Sequence, residues 1–302
     1  MSAAGGHLPP AEVPLDAPPP EQRRSGRTGY LLLLPGSVWL GLFFLVPAVT
    51  LVATSLYDPA GSLQTGYAMT GHVANYLDAI GDYREQIVRS LVYALLATGA
   101  CVLLGYPLAY AIAFKAGRWK NLMLVAVIAP FFTSFLVRTL SWKYLLGDHQ
   151  WIVDGLQTVH LLSEDGRLLN TPLAVITGLT YNFLPFTVLP LYASLEKIDH
   201  RLIEAAQDLY ASPFTAFRQV TLKLSMPGLV AGTLLTFIPA AGDYINAELL
   251  GSPNTRMLGN EIEGLFAAGD YPIASALSVV LMVGIVVMVA GYVRKAGTEE
   301  LL

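Results

Sequence analysis

Long apolar runs, each closed by polar or turn-forming residues, dominate the chain. A run of about 20 mostly apolar residues is enough to cross roughly 30 Å of hydrocarbon as a helix. Between the runs the chain gathers Gly, Pro, Asp and Asn, as in the segment Gly251-Ser252-Pro253-Asn254. The pattern predicts about six transmembrane helices, at roughly residues 30–56, 87–114, 122–146, 173–195, 224–245 and 273–293. We therefore expect an all-α integral membrane protein.

Composition supports a membrane environment. Of the 302 residues, 54% are hydrophobic and only 13% are charged, and the mean hydropathy is +0.53. A soluble domain of this length needs more surface charge to stay dispersed. The net charge of −4 is small, and no basic tract with interleaved aromatic residues indicates a nucleic-acid partner. The lipid bilayer is therefore the expected partner, and nucleic acid is not.

The amino-terminal end differs from the rest of the chain. Residues 1–28 are rich in Pro, Ala and Gly and cannot bury a core, which predicts a disordered cytoplasmic tail. The first apolar run is too long for a signal-peptide core, so it is expected to remain as a spanning helix. The predicted organisation is this tail, a six-span domain at 29–296 and a short cytoplasmic tail at 297–302.

Positive residues predict the orientation of the spans. With the amino terminus placed in the cytoplasm, one side collects Arg23, Arg24, Arg27, Lys115, Arg118, Lys120, Lys197, Arg201, Arg218, Lys223, Arg294 and Lys295. The other side collects Arg84, Arg167 and Arg256, with Arg89 at a span edge. Cytoplasmic loops carry an excess of Lys and Arg. The bias and the even span count predict that both termini are cytoplasmic.

Proline occurs inside several predicted spans, at Pro107, Pro130, Pro185, Pro190 and Pro239. Proline removes a backbone donor and kinks a helix, and neighbouring helices in a bundle can satisfy the freed carbonyl. Two interpretations stay open: curved packing, or kinked helices that line a path which opens and closes.

The segment between the fourth and fifth spans, residues 199–223, predicts a helix-turn-helix elbow on the cytoplasmic surface. Asp199 can cap a short helix. An apolar face at helical spacing follows, made of Leu202, Ala205, Ala206 and Leu209. Ser212 followed by Pro213 is the signature of a second helix start, with an expected apolar side of Phe214, Phe217 and Leu222.

At these residues the chain resembles the permease subunits of bacterial binding-protein-dependent ABC importers, which have the type I, MetI-like architecture. Their signature is Glu-Ala-Ala, then Gly four residues after the second Ala, then an apolar tail containing Pro. The positions that match are Glu204, Ala205, Ala206, Asp208, Ala211, Ser212, Pro213, Phe217, Val220, Leu222 and Pro227. His200, Tyr210 and Lys223 depart from the pattern. The plainer alternative is an ordinary amphipathic connector.

The resemblance implies that the elbow docks on a separate ATPase subunit. The residues it assigns to this coupling are Glu204, Ala205, Ala206, Asp208, Tyr210, Ala211, Ser212 and Pro213. Tyr210 stands where the family has Gly, and a left-handed turn costs a non-glycine residue about 1–2 kcal/mol. Either the first helix ends one or two residues later, or the contact with the ATPase is reshaped.

Other segments resemble spermidine/putrescine permeases in particular. They are 131–139 with Ser141-Trp142, 237–244 continuing into 248–251, 257–262 and 270–278. The likeness covers roughly residues 30–295 and implies a polyamine as cargo. Relatives with the same pattern import other small organic solutes, phosphonates among them, so the cargo stays open.

Polar residues in or near the spans are candidates for the substrate path: Thr133, Arg138, Asn182, Asp243, Tyr244 and Glu248. Carboxylates such as Asp243 would attract a cationic polyamine. Arg138 would instead suit an anionic cargo, or it snorkels or pairs with Asp243. Asn182, with its neighbours Tyr181 and Thr187, either lines a polar path or makes interhelical hydrogen bonds.

The chain has no Gly-x-x-x-x-Gly-Lys-Ser/Thr phosphate loop. We therefore expect no cofactor in this chain, and the resemblance implies that the partner ATPase binds ATP and Mg²⁺. The histidines show no metal-ligand spacing and no nucleophile-base pair stands out, so we expect no metal site and no catalytic residues. The resemblance implies a pair of ATPase subunits, a second permease subunit and an external substrate-binding protein, assembled in a bacterial inner membrane. A secondary transporter stays open as an alternative, although it leaves the elbow unexplained. A membrane enzyme is disfavoured because no active-site cluster stands out.

Overall fold

The computed structural model describes residues 26–148, 150–160, 162–163 and 166–296. Within these ranges the chain forms helices, turns and isolated bridges, and no β-strand. The α-helices are α1 (Gly26–Leu40), α2 (Val46–Thr54), α3 (Ala74–Asp82), α4 (Arg84–Phe114), α5 (Lys120–Ile128), α6 (Phe135–Leu145), α7 (Trp151–Thr158), α8 (Pro172–Glu196), α9 (His200–Asp208), α10 (Pro213–Ala216), α11 (Leu222–Leu224), α12 (Met226–Ala241), α13 (Ile245–Leu250), α14 (Leu258–Ala268) and α15 (Tyr271–Ala296). The predicted all-helical class is confirmed.

Both predicted tails lie largely outside the described residues. Residues 1–25 and 297–302 are not described, and α1 begins at Gly26, within the last residues of the predicted amino-terminal tail. The chain divides into two compact units, one up to Val49 and one from Thr50 onward. In the first unit α1 leads through a π-helical segment, Gly41–Leu45, into the start of α2. From Leu32 onward this helical stretch is predominantly apolar, which is typical of a membrane span.

In the part of the chain that the structure describes, four helical stretches are long and apolar enough to span a membrane: Leu32–Thr54, Arg84–Phe114, Pro172–Glu196 and Tyr271–Lys295. Their ends lie within a few residues of the predicted runs. Hydropathy located these spans well because each is one continuous helix. Pro107 in α4, and Pro185 and Pro190 in α8, lie inside continuous helices, so proline alone does not break a span here.

Two pairs of helices are joined by a sharp bend. The third predicted span is one such pair, and the other pair joins the second helix of the predicted elbow to α12, which corresponds to the fifth predicted span. Gly117–Phe132 and Phe135–Leu145 meet at 97°, and Pro213–Leu224 and Met226–Ala241 meet at 64°. At the first break Ser134 has an extended backbone, with ψ 136°, so the helical hydrogen-bond ladder cannot continue through it. The count of about six spans holds if each bent pair is one span. The third predicted span is interrupted at Ser134, whereas the bend at Ser225 lies at the predicted boundary between the elbow and the fifth span.

The bend at the start of the fifth span is tied to α4 by hydroxyl groups. The hydroxyls of Ser225 and Tyr106 lie 2.8 Å apart, and Ser225 also donates to the Leu222 carbonyl at 3.1 Å. Ser225 is fully buried, so this break is a packed junction. Pro227, at the start of α12, supplies no backbone donor to the turn before it.

In the second unit α4, α8 and α12 form the central bundle. One buried cluster joins the three helices and includes Tyr93, Ala97, Leu179, Phe183 and Phe237. Small residues allow the close approach that membrane helices use. A Cβ added at Gly228 of α12 would lie 2.6 Å from the Pro190 carbonyl oxygen of α8, and one at Gly232 would lie 3.0 Å from the Thr187 carbonyl oxygen.

A second buried cluster lies at the end of the bundle from which the elbow projects. It is formed by Tyr106, Ala109, Ile112, Val188, Leu191, Leu195 and Ile198. The short helices α3, α7, α13 and α14 follow from the opposite ends of the spans along the chain. The bundle therefore separates the elbow from the region of α13 and α14, and these two regions contain the candidate functional residues.

Candidate coupling elbow and candidate substrate path

The elbow has the two capped helices that its sequence predicts. Asp199 Oδ1 accepts a hydrogen bond from the Arg201 N–H at 3.0 Å at the start of α9. Ser212 Oγ accepts from the Thr215 N–H at 3.2 Å at the start of α10, and Pro213 occupies the first turn. Both caps satisfy backbone donors that a helix start leaves free, so the predicted caps are confirmed.

Tyr210 adopts the left-handed backbone conformation normally reserved for glycine. Its φ is +61°, and α9 ends at Asp208 rather than later. The Ala211 N–H donates to the Ala206 carbonyl at 3.1 Å, and the Tyr210 N–H donates to the Gln207 carbonyl at 2.9 Å. This pair of bonds is a Schellman motif. The alternative of a longer first helix is therefore wrong: the turn is retained with tyrosine in it.

Large apolar side chains on the elbow project away from the rest of the chain. Tyr210 is 99% exposed and Leu209 is 83% exposed. Leu202 and Phe214 are also exposed, and so are Glu204, Ala205 and Asp208. We call Leu202, Leu209, Tyr210 and Phe214 the elbow patch. An exposed apolar patch rimmed by charged residues marks an interaction surface.

Other elbow residues anchor this patch to the bundle. The Phe217 ring packs edge-on against Tyr106 and Tyr110, with centroids 5.7 and 5.9 Å away. His200 packs edge-on against Phe114 at 5.0 Å. The sequence grouped Phe214 with Phe217 on one apolar side, and the structure separates them because Phe217 packs inward while Phe214 is exposed.

The remaining assigned coupling residues form the turn between the two helices. Ala206 and Ala211 are half-buried and share a backbone hydrogen bond, while Ser212 and Pro213 are exposed. These residues shape the turn, and the exposed side chains around it provide the surface. The geometry gives the elbow one anchored side and one free side.

A buried polar junction forms where α6, α8 and α13 meet. Asn182 Nδ2 donates to Thr139 Oγ1 at 3.2 Å and to Asn246 Oδ1 at 3.0 Å. Asp243 Oδ1 accepts from the Asn246 N–H at 2.8 Å. Asn246 thus links two predicted path residues, Asn182 and Asp243, and the interhelical hydrogen bonds expected as an alternative for Asn182 are present. We call Thr139, Asn182, Asp243 and Asn246 the polar junction.

The polar junction leaves hydrogen-bonding capacity unused. Asn182 Oδ1 and Asn246 Nδ2 are buried and have no hydrogen-bond partner among the described residues. Asp243 is buried and has no cationic partner within the described part of the chain. Buried polar groups are nearly always paired. The junction therefore has the chemistry of a place that a polar or cationic group can enter.

Arg138, next to Thr139 in α6, is a buried cation without an ion pair. Only 9% of the residue is exposed, and Nε and Nη1 have no hydrogen-bond partner among the described residues. Its guanidinium carbon lies 5.3 Å from the Phe131 ring centroid and 5.6 Å from that of Phe135. Pairing with Asp243, one of the alternatives for Arg138, is absent among the described residues, and Arg138 makes cation–π contacts instead.

Tyr244 and Glu248 belong to a separate, more exposed group. Asn260 Nδ2 donates to the Tyr244 carbonyl at 2.9 Å and to Glu248 Oε2 at 3.2 Å. Arg256 lies 3.8 Å from Glu248 and 3.9 Å from Glu261, so one cation is shared between two carboxylates. Thr133 is exposed at the break of the third span, where its hydroxyl donates to the Pro130 carbonyl at 2.7 Å. The candidate path residues thus fall into several groups.

Sequence reasoning missed Thr139, Asn246 and Asn260, which hold these groups together. Asn246 follows Asp243 by three residues, the spacing at which an aspartate caps a helix, and this signal was available. Thr139 and Asn260 carry no comparable local signal. Thr187, grouped with Asn182 in the sequence, bonds across helices to Thr236, with the hydroxyl oxygens 2.6 Å apart.

Comparisons with known proteins agree with this geometry. Residues 80–295 match the family described as binding-protein-dependent transport system inner membrane component. The spermidine/putrescine transport system permease protein PotB of Haemophilus influenzae is 38% identical over 258 residues, which cover 85% of this chain and 90% of that protein. PotB of Escherichia coli is 36% identical over 259 residues, which cover 85% of this chain and 93% of that protein.

Among solved structures, a bacterial alginate ABC transporter in complex with its alginate pentasaccharide-bound periplasmic protein contains a chain with a similar fold. The TM-score is 0.66 at 18% identity, covering 91% of this chain and 95% of that one. At this identity the likeness shows the fold alone. The two relatives, by contrast, are 36–38% identical over 85% of the chain, and the family match covers residues 80–295. The chain therefore belongs to the family of binding-protein-dependent transport system inner membrane components.

Proposed function

We propose that this chain is a permease subunit of an ATP-driven importer of polyamines and forms half of the translocation pathway. The observation that carries the proposal is the extent of the likeness to permeases named for spermidine and putrescine. Identity of 36–38% runs through 85% of this chain and about nine-tenths of each relative. A likeness of that extent includes both the elbow and the spans that surround the polar junction.

The elbow couples the chain to a separate ATPase subunit in this proposal. Support comes from its two sides: Phe217 and His200 anchor it to the bundle, and the elbow patch is exposed together with Glu204 and Asp208. A rigidly held, exposed apolar surface is suited to transmit motion from a bound partner. ATP and Mg²⁺ would be bound by that partner, and this chain would contribute no catalytic residue.

The wider assembly contains a second permease subunit, a pair of ATPase subunits and an external substrate-binding protein. The chain lies in a bacterial inner membrane with both termini on the side of the elbow, the cytoplasm. Support for this orientation is the concentration of Lys and Arg on that side. The residues at 80–295 that match an inner membrane family support the location.

The polar junction is the part of this chain that receives a cationic cargo. Asp243 supplies a carboxylate without a cationic partner among the described residues, and Asn182 supplies an unused carbonyl oxygen. An ammonium group that entered here would satisfy both acceptors. Thr133, Tyr244 and Glu248 would lie along the approach, where Glu248 shares Arg256 with Glu261.

Arg138 favours a second candidate cargo, a small anionic organic solute such as a phosphonate. An unpaired guanidinium close to the polar junction suits an anion better than a polyamine. The two candidates differ in the sign of the cargo, so a competition experiment separates them.

The test combines purification with transport. The tagged chain is purified in mild detergent from membranes of its own host, and polypeptides that accompany it are identified by mass spectrometry. The complex is then placed in liposomes, and ATP-dependent uptake of labelled spermidine is measured with excess putrescine or a phosphonate as competitor. We expect an ATPase and a second permease in the complex, and competition by putrescine alone. Uptake without ATP by the chain alone would contradict the importer, and competition by the phosphonate would contradict the polyamine.

A further inference from the structure

A partly open cavity lies between α4, α12 and α15, away from both the elbow patch and the polar junction. Its volume is about 420 Å³, and its wall is almost entirely apolar. Leu95 and Gly99 line it from α4, Phe237 from α12, and Val289 and Tyr292 from α15. Packed protein interiors leave few voids larger than a water molecule, so a cavity of this size and lining has the character of a site for an apolar ligand.

The cavity is elongated along the spans and reaches toward the elbow end of α15. On α4 its wall runs from Leu95 to Val102, a distance of about 10 Å at 1.5 Å per residue. On α15 it includes Met288, Val289 and Tyr292, which recur at the three- and four-residue spacing of one helix face. The Thr233 hydroxyl donates to the Tyr292 hydroxyl at 2.9 Å, so both hydroxyls are engaged with each other.

Positive charge follows at the end of this helix face. Lys295 comes three residues after Tyr292 and therefore continues the same face, and Arg294 lies beside it in the last turn. Both side chains are exposed, and neither has an ion pair with a described residue. An apolar cavity close to the basic side chains of Arg294 and Lys295 suits a ligand with an apolar body and an anionic end.

We propose that this cavity binds one acyl chain of an anionic bilayer phospholipid, with its phosphate at Arg294 and Lys295. The family of this chain is an inner membrane family, so phospholipid is present along α4 and α15. Basic residues at the end of a transmembrane helix attract anionic headgroups. The lipid would contact three helices at once and stabilise their packing, independently of which cargo is transported.

Thr98 distinguishes an acyl chain from other apolar ligands. Thr98 lines the cavity, and its hydroxyl oxygen is buried and has no hydrogen-bond partner among the described residues. An acyl chain offers no partner either, so Thr98→Val is expected to leave lipid binding unchanged. A ligand that carries a polar group at this depth would lose affinity in the same variant.

Gly99 allows the cavity to be filled without displacing its neighbours. A Cβ added at Gly99 meets no atom within 4 Å, and the same holds for Gly284 of α15, which does not line the cavity. Gly99→Leu is therefore the filling variant and Gly284→Leu its matched control. The full chain, with its accompanying subunits, is examined by native mass spectrometry with added phosphatidylglycerol or phosphatidylethanolamine.

The wild type and Gly284→Leu are expected to retain phosphatidylglycerol in preference to phosphatidylethanolamine. Gly99→Leu is expected to lose it at least tenfold. Arg294→Gln and Lys295→Gln should each lower its affinity about fivefold, since one basic residue near an anionic surface contributes roughly that factor. Equal retention by Gly99→Leu and Gly284→Leu, or a loss in Thr98→Val, would overturn the proposal.

A second measurement decides the question even if Gly99→Leu fails to accumulate in membranes. A photo-crosslinking amino acid in place of Met288, which lines the cavity, should form a lipid adduct on illumination of intact membranes. An adduct with another polypeptide would show that a partner subunit covers the cavity, and the lipid proposal would be wrong.

Discussion

The elbow and the polar junction differ in how far their polar groups are hydrogen-bonded and in whether their side chains are buried. In the elbow a side chain caps one backbone donor at each helix start and the turn at Tyr210 is hydrogen-bonded, while the large side chains of the elbow patch are exposed. In the polar junction the side chains are buried, yet Asn182 Oδ1 and Asn246 Nδ2 lack partners. A hydrogen-bonded backbone with exposed side chains suits a rigid docking surface. A buried group of polar side chains with unsatisfied hydrogen-bonding atoms suits a site that rearranges or accepts a polar ligand.

The largest expected effect is on docking at the elbow. Glu204→Lys reverses an exposed charge beside the elbow patch and should reduce ATPase recovery in co-purification more than tenfold. Glu263→Lys, which reverses an equally exposed charge on α14, is the matched control and should leave recovery unchanged. Equal loss in both variants would indicate a general effect of charge and would remove the elbow from the coupling role.

The next effect concerns the polar junction. Asp243→Asn keeps the shape and the acceptor for the Asn246 N–H but removes the negative charge, so ATP-dependent spermidine uptake should fall about tenfold, the cost of roughly 1.4 kcal/mol. Glu263→Gln is the control, because Glu263 is an exposed carboxylate on α14 outside the candidate path, and its uptake should change less than twofold. Normal uptake by Asp243→Asn would place the cargo elsewhere.

Substitutions at Tyr210 test whether the strained tyrosine strengthens ATPase binding by the elbow. Tyr210→Gly should relieve about 1 kcal/mol of left-handed strain, seen as slower amide exchange at the end of α9. It should also weaken ATPase binding severalfold, because a side chain that is 99% exposed in this chain is available to a partner. Tyr210→Asn, which tolerates the same backbone, should weaken binding similarly. Unchanged binding in both would show that only the turn matters.

The smallest expected effect is at Arg138. Arg138→Met removes a buried, unpaired charge while keeping the contacts with Phe131 and Phe135, so thermal stability should be unchanged or slightly higher. Spermidine uptake should stay within about twofold of the wild type. Arg138→Lys retains the charge without the planar guanidinium and serves as the comparison. A large loss of stability in Arg138→Met would indicate that the guanidinium has an essential partner.

Local features of the fold were predictable from the sequence. The caps at Asp199 and Ser212 depend on a few neighbouring residues, and hydropathy located the continuous spans because each is one apolar helix. The break at Ser134 was not predictable in this way, since averaging over a run conceals a turn of two or three residues. The bend at Ser225, by contrast, lies where the sequence places the boundary between the elbow and the fifth span. Tyr210 was identified as a departure, but only the backbone shows that the turn survives it.

The contacts within the candidate path needed tertiary structure. Asn182 and Asn246 are 64 residues apart along the chain, and nothing local indicates that their side chains meet. Arg138 and Asp243 looked like an ion pair because both are ionisable and near the outer ends of spans. Their separation follows from how α6 and α13 pack, which hydropathy and charge do not determine.

The bend at Ser225 makes the second half of the elbow a lever. The segment Pro213–Leu224 projects at 64° from α12, and a helix of this length measures about 18 Å. A rotation of about 10° around the bend would displace the Pro213 end by roughly 3 Å, while residues beside Ser225 would hardly move. Because the Tyr106 hydroxyl contacts Ser225 at this bend, a rotation of the elbow would act directly on α4.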